Sequence, residues 1–385
     1  MSWPIPVFLK IEYPKPISLR VWLPSLVAIA SCAVTAVVLV WPHGKPTDAY
    51  PFWSALIGAP LGACMLTFGV RWCLWRREQT DAEVAEGEQL RLRDLWRRWT
   101  RRHLRVVDIA TFPAATNEIT RFASEKIDLP TSTDRNIGFE WAKGRSAVFR
   151  RIRLLRLVAM RFAEVLQNQR DVIVTLMLDD ESLKQTDVWN RRAMRMLGCM
   201  APGVKFRVET QAATNGARWI TQLADRIDPA TRLVIAAQLW ADGEEEHKFS
   251  EGAAAFLIVP DASKAGAIWR PMISDRDTLE TGLSQIKKIQ TSPSQLTDVW
   301  SAGCEYSDSS ALRSILKKNP KDPVSEHLLD EFLGNPGPAS GWIAMAIAME
   351  AMRGAGPQLV AWREPNSESL YLCAISPVPQ KETTV

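Results

Sequence analysis

The side chains best suited to covalent or acid–base chemistry are few: six cysteines (Cys32, Cys64, Cys73, Cys199, Cys304, Cys373) and four histidines (His43, His103, His247, His327). A cysteine attacks as the thiolate, which needs a base or a cation beside it. Cys304, in Gly303-Cys304-Glu305-Tyr306-Ser307-Asp308, has acids close by and no histidine near it in sequence. It reads as a relocated nucleophile or as a buried structural thiol, and the second reading is favoured for both Cys304 and Cys373. The cysteines form no CxxC pair and no regular framework, which suits a reducing compartment. Glu244-Glu245-Glu246-His247 offers metal-binding or acid–base groups, but its spacing fits no metal motif, so an exposed charged loop is favoured. No cofactor is expected.

Such residues must be held by a scaffold. The chain has 385 residues, 46% of them apolar, enough for one large domain or two ordinary ones. From about Val106 to Ser376, short β-branched apolar runs alternate with amphipathic stretches, which argues α/β organisation. The runs predict strands at Val106–Thr111, Val172–Leu178, Phe206–Glu209, Leu233–Leu239, Ala254–Val259, Ala267–Met272, Asp298–Gly303, Gln358–Trp362 and Leu370–Ile375. The last two are joined by the turn-rich Glu364-Pro365-Asn366-Ser367. Helices are predicted at Ala147–Leu166, Leu183–Leu197, Gly216–Ile227, Ser309–Leu316 and Gly341–Met352. No fixed-period repeat is visible.

The N-terminal part reads differently. Val21 to Trp41 carries no charge, and about 20 such residues span a bilayer core as a helix. Trp53 to Trp75 is interrupted only by Arg71, one turn from its end. Trp22 and Trp41 suit the two interfaces. The connection holds Lys45 offset by Asp48, whereas Lys10, Lys15 and Arg20 precede the first span and an arginine cluster follows the second. The positive-inside rule then predicts a hairpin in a bacterial inner membrane with both termini cytoplasmic. A cleaved signal peptide is disfavoured because no small-residue cleavage pattern follows Trp41. Small residues in the second span (Ala55, Gly58, Ala59, Gly62, Ala63, Gly69) fit close packing against the first.

Between Glu83 and Arg105, Leu and Trp recur among arginines at near-helical spacing, which predicts a basic amphipathic linker helix. Arg91, Arg93, Trp96, Arg97, Arg98, Trp99, Arg101 and Arg102 are its candidate membrane-surface residues. Nucleic acid has the same charge requirement, but no base-reading motif accompanies it. The boundaries read as 1–20 N-terminal segment, 21–75 hairpin, 76–105 linker, 106–265 and 266–377 as the two halves of one domain, and 378–385 as a tail.

Within that domain, Phe206–Glu209 leads through Gln211-Ala212-Ala213-Thr214-Asn215-Gly216 into a helix, and Leu233–Leu239 is followed by Glu251-Gly252-Ala253-Ala254-Ala255. Gly303–Asp308 and Gly334-Asn335-Pro336-Gly337-Pro338-Ala339-Ser340-Gly341 come later. In this order the segments resemble the thiolase-like superfamily of β-ketoacyl synthases and thiolases. The resemblance covers roughly residues 106–376 and implies a layered αβαβα domain of two similar βαβ halves. It also implies that Ala213 stands at the nucleophilic cysteine, Cys304 at the histidine of the HGT-type loop with Asp308 at its aspartate, and Asn335 at the asparagine of the Cys-His-Asn branch. Near Cys373, Ala374-Ile375-Ser376 replaces the glycines that a thiolase's second cysteine loop needs.

Claisen condensation and thiolysis need an acyl thioester, and alanine has no atom that attacks. A thiol is a poor oxyanion donor in place of a histidine. The expectation is therefore a catalytically inactive protein, anchored at the membrane, that works as adaptor, scaffold or regulator of a protein partner. The family implies homodimerisation or pairing with an active homologue. The overall architecture also resembles accessory proteins of type VI secretion systems and their lipase effectors. The runner-up is a membrane-bound acyltransferase or hydrolase using acyl-CoA or acyl carrier protein.

Overall fold

The computed structural model describes residues 3–42, 45–47, 49–115, 131–226, 228–243, 246–260, 262, 266–291, 296–317, 324–352, 356–365 and 367–377. Asp48, Glu244, Glu245, Asn366 and the tail from 378 lie outside them. Two compact units divide the chain: residues 6–95, and residues 1–5 with 96–385.

The first unit holds α1 (Leu19–Val40) and most of α2 (Tyr50–Thr100). Both helices are long and apolar enough to cross a membrane. Val21, Leu23, Val27 and Leu39 on α1 and Ile57, Leu61, Met65 and Leu66 on α2 are exposed, the surface that water would disfavour and lipid would accept. The helices lie antiparallel, with Trp22 edge-on to Phe68 at 6.4 Å and Trp41 edge-on to Phe52 at 5.0 Å. The extended N-terminal segment follows α2 beyond its apolar part: Gln89 Nε2 donates to the Leu9 carbonyl at 3.0 Å, and Arg93 lies 5.3 Å over the Phe8 ring.

The second span and the basic linker form one continuous helix. Residues 76–100 are rich in Arg, Glu, Gln, Leu and Ala, the best helix formers, and no proline stops the run. The helix ends where Arg97 and Arg98 meet the negative end of its dipole. The linker also stops short of 105, because β1 (His103–Pro113) begins at His103.

In the second unit, β1 is followed by α3 (Ala147–Gln167), β2 (Asp171–Leu178), α4 (Asp180–Leu183), α5 (Thr186–Met200), β3 (Lys205–Ala212), α6 (Gly216–Asp225), β4 (Thr231–Gln238) and β5 (Gly252–Ile258). The second half runs β6 (Gly266–Trp269), β7 (Met272–Ser274), α7 (Leu279–Gln285), β8 (Asp298–Ala302), α8 (Tyr306–Lys317), β9 (Ser325–Leu328), α9 (Asp330–Leu333), α10 (Ser340–Ala351), β10 (Gln358–Arg363) and β11 (Leu370–Pro377). The stretch 267–272, expected as one strand, is broken into β6 and β7 at Arg270-Pro271, since proline cannot donate to a ladder. The expected helix from Leu183 is two, α4 and α5.

The strands form one sheet in the order β3-β2-β4-β5-β1-β6-β11-β10-β8-β9. Read outward from the β1–β6 seam, both halves have the same order and the same pairing senses: antiparallel next to the seam, then parallel for the outer three strands. The α/β fold of two similar halves that the sequence implied is what the chain adopts.

Layering follows from side-chain alternation. On β5, Ala254, Phe256 and Ile258 join the cluster around α6 and α10, and Ala253, Ala255 and Leu257 face α3 and α5. The α6–α10 cluster draws on both halves, with Val234 and Ala236 from one and Trp300, Val360 and Trp362 from the other. Helix α10 (SGWIAMAIAMEA) is apolar all round and buried along almost its whole length, as a helix between two sheet layers must be. Helices α7 and α8 cover the outer face of the second half. The order is αβαβα.

Candidate functional site

Three segments carry the positions singled out by the sequence resemblance: the turn after β3 (Ala213), the loop after β8 (Cys304) and the loop between α9 and α10 (Asn335). Glu251 stands just before β5. Its carboxylate accepts N–H groups from Phe139 at 2.9 Å and Trp240 at 3.1 Å and pairs with Arg150 at 3.0 Å, both side chains buried. Burial pushes the Glu251 carboxyl up, and these partners oppose that shift. Gln238, buried at the end of β4, donates to the Ser250 carbonyl at 2.7 Å and accepts the Ala339 N–H at 2.8 Å. The glutamate of the alanine-rich segment is thus a structural tie.

Cys304 and Asn335 line one cavity of about 250 Å³, together with Ser301, Asp330, Tyr306 and Arg313. Asn335 is held by its backbone N–H on the Arg135 carbonyl (3.0 Å), while its side chain donates to Asn136 Oδ1 (2.8 Å). Gly334 before it has φ +75°, and a Cβ there would lie 2.3 Å from the Arg135 carbonyl, so glycine is required. Ala213 does not line this cavity. It is buried in the core against α10, its carbonyl accepting the Trp342 indole N–H at 3.3 Å. Its neighbours Thr214 and Asn215 open onto a separate cavity of about 380 Å³ beside Glu364 and Tyr371.

Burial pushes the Cys304 thiol well above its ordinary range, and Asp330 and Asp308 push it further. The thiol donates weakly to the Ala302 and Ala361 carbonyls. Asp308 is buried and paired with Arg363 at 2.5 Å; Arg363 also holds Glu305 at 2.7 Å. Asp330, which sequence reasoning passed over, is raised to about 7, chiefly by burial, against the pull of the Gly303 N–H at 2.8 Å. Ser301 Oγ is buried with no hydrogen-bond partner among the described residues. The cavity therefore holds a carboxyl poised near neutrality and an unpartnered hydroxyl. Neither has a sequence signal, since both acquire their character from burial. Among the described residues no cluster of three metal-ligating side chains occurs.

The candidate membrane-surface residues divide. Arg91, Arg93, Arg97, Arg98 and Arg102 are exposed, and Trp96, Trp99 and Arg101 are half-buried. Trp99 is packed edge to face with Trp96 at 5.4 Å and carries the Arg270 guanidinium over its ring at 4.1 Å. Arg101 donates to the Ile289 carbonyl at 3.2 Å and Arg102 pairs with Asp225 at 2.8 Å. Trp99, Arg101 and Arg102 thus serve the sheet unit.

No family model and no curated protein match the sequence. Among solved structures the chain is similar to AntDE:AntF, described as a type II PKS acyl-carrier protein in complex with its ketosynthase. The identity is 14% and the TM-score 0.47, covering 72% of this chain and 99% of that one. It is also similar to the tetronic acid condensing enzyme AbyA1 (14% identity, TM-score 0.46, 71% and 99% covered). A third is PksG, a HMG-CoA synthase from Bacillus subtilis (12%, 0.44, 71% and 79%).

Proposed function

We propose that the protein is a catalytically inactive, membrane-anchored thiolase-like protein that acts by binding a protein partner as adaptor, scaffold or regulator. The observation that carries this reading is at the nucleophile position. Ala213 offers no attacking atom and its carbonyl is taken by Trp342, while Cys304, on the neighbouring cavity, is half-buried with its thiol pushed above its ordinary range. No histidine is among the residues lining that cavity. The anchor is the α1–α2 hairpin in a bacterial inner membrane, both termini cytoplasmic. The partner class that the architectural resemblance suggests is a type VI secretion effector such as a lipase.

The test uses the full chain in detergent. Incubation with acyl-CoA or acyl carrier protein leaves no covalent acyl adduct by intact mass; an adduct on Cys304 or Cys373 would overturn the reading. A C-terminal reporter fusion is cytoplasmic, and a periplasmic one would sink the topology.

The acyltransferase or hydrolase reading has one observation in its favour, the Asp330 carboxyl near 7 beside the unpartnered Ser301 hydroxyl. A carboxyl so placed suits general-base work at neutral pH. Acyl-thioester hydrolysis that disappears in Asp330→Asn would establish it.

A further inference from the structure

A third cavity, of about 300 Å³, lies where β1 leaves the end of α2, and five arginines line it: Arg101, Arg102, Arg105, Arg226 and Arg232. We propose that it binds the phosphate of an anionic ligand, drawn either from a lipid headgroup or from a soluble phosphate compound. The lipid source rests on the membrane reading above; the site itself does not.

Arg232 is buried and held by Glu209 at 2.7 Å and Asp228 at 2.6 Å. Arg102 shares Asp225 with the fully buried Arg270. Those three carboxylates are thereby used. Arg105 makes only a long contact, 3.4 Å, to the Ala262 carbonyl, and among the described residues neither Arg105 nor Arg226 forms an ion pair. Asp228 is the one acid among the described lining residues, its carboxyl lowered chiefly by the hydrogen bond from Arg232 and also by the charge of Arg226, so five guanidiniums share one lining carboxylate around a small concavity whose floor is Leu104, Leu223 and Ile258. Like charges on a partly apolar surface repel each other, and a bound anion removes that cost. A guanidinium presents a planar fork of N–H donors that fits phosphate oxygens two at a time.

Helix capping explains part of the cluster. Arg226 follows the end of α6, and Arg101 and Arg102 follow the end of α2, where cations are favoured. Capping does not explain Arg105, which stands inside β1, nor why its cavity is shared with Arg226. The size is at the lower end of the small-ligand range. It suits a headgroup rather than an acyl chain.

The experiment titrates the full chain in nonionic detergent with three probes: pyrophosphate, dihexanoylphosphatidylglycerol and, as zwitterionic control, dihexanoylphosphatidylcholine. Calorimetry should show saturable binding of pyrophosphate or phosphatidylglycerol, with phosphatidylcholine weaker. Arg226→Gln and Arg105→Gln should each weaken binding about tenfold or more, the loss of one charge-assisted contact. Arg226 is exposed, so its variant should melt with the wild type and report binding alone. Pyrophosphate binding that phosphatidylglycerol does not displace assigns the site to a soluble phosphate; displacement assigns it to lipid. Carbonate extraction reads the membrane anchor separately, so its failure leaves the pyrophosphate arm intact. No saturable binding of either anion, or equal binding by both variants and wild type, overturns the proposal.

Discussion

Asp330 offers a quantitative test of how the cavity is built. Its carboxyl is raised from an ordinary 3.8 to about 7, and each pKa unit corresponds to about 1.36 kcal/mol. Three units give a ceiling of about 4 kcal/mol on the cost of ionising this group in the folded protein relative to the unfolded chain. The sign follows from proton counting. Between about pH 4 and pH 7 the folded state holds a proton on Asp330 that the unfolded state has released, so stability falls as pH rises through that window. Asp330→Asn keeps an oxygen for the Gly303 N–H and cannot ionise. The variant should therefore match the wild type near pH 4 and exceed it by up to about 4 kcal/mol at pH 8. Thermal unfolding of both proteins at half-unit intervals from pH 4 to 8, followed by tryptophan fluorescence, measures this. Parallel curves, or a variant less stable at pH 8, would refute the reasoning and place the ionised form in a solvated setting.

Glu251→Gln breaks a buried pair and leaves Arg150 uncompensated, at a cost of about 3–5 kcal/mol. The exposed Lys184–Glu181 pair is the control, and Glu181→Gln should stay within about 0.5 kcal/mol of wild type in the same denaturant titration. Gly334→Ala forces a side chain into a left-handed backbone against the Arg135 carbonyl; a loss of at least about 1–3 kcal/mol is expected in unfolding measurements. At pH 7 a maleimide should modify exposed Cys199 and spare Cys304 and Cys373 until denaturant is added. Labelling of native Cys304 at the rate of Cys199 would contradict its half-buried setting and raised thiol.

What the sequence disclosed depended on whether the signal was local. The strands around 172–178, 233–239 and 254–259 stand out because each is a dense run of mostly apolar residues. Ser325–Leu328 does not: four residues containing Glu326 and His327 carry no alternation, and they form β9 because β8 offers a free edge. Helix α7 has seven residues and a glycine, too little for periodicity to register. The two halves escaped repeat detection because the symmetry lies in pairing order: GAAAFLI and LYLCAISP occupy equivalent strands without resembling each other. At the site, the loop carrying Asn335 is marked by its glycines and prolines. Asp330 is marked by nothing, since its shifted carboxyl depends on the Gly303 loop 27 residues earlier in the chain.

The position of β1 has a consequence for biosynthesis. It is the first strand of the sheet to leave the ribosome, yet its neighbours are β5 and β6, the last strand of the first half and the first of the second. About 140 residues separate Pro113 from its partner Gly252, so at 5–20 residues per second the strand waits roughly 7–30 s for its first partner. During that interval an eleven-residue strand, apolar on alternate positions, has both edges open to other chains.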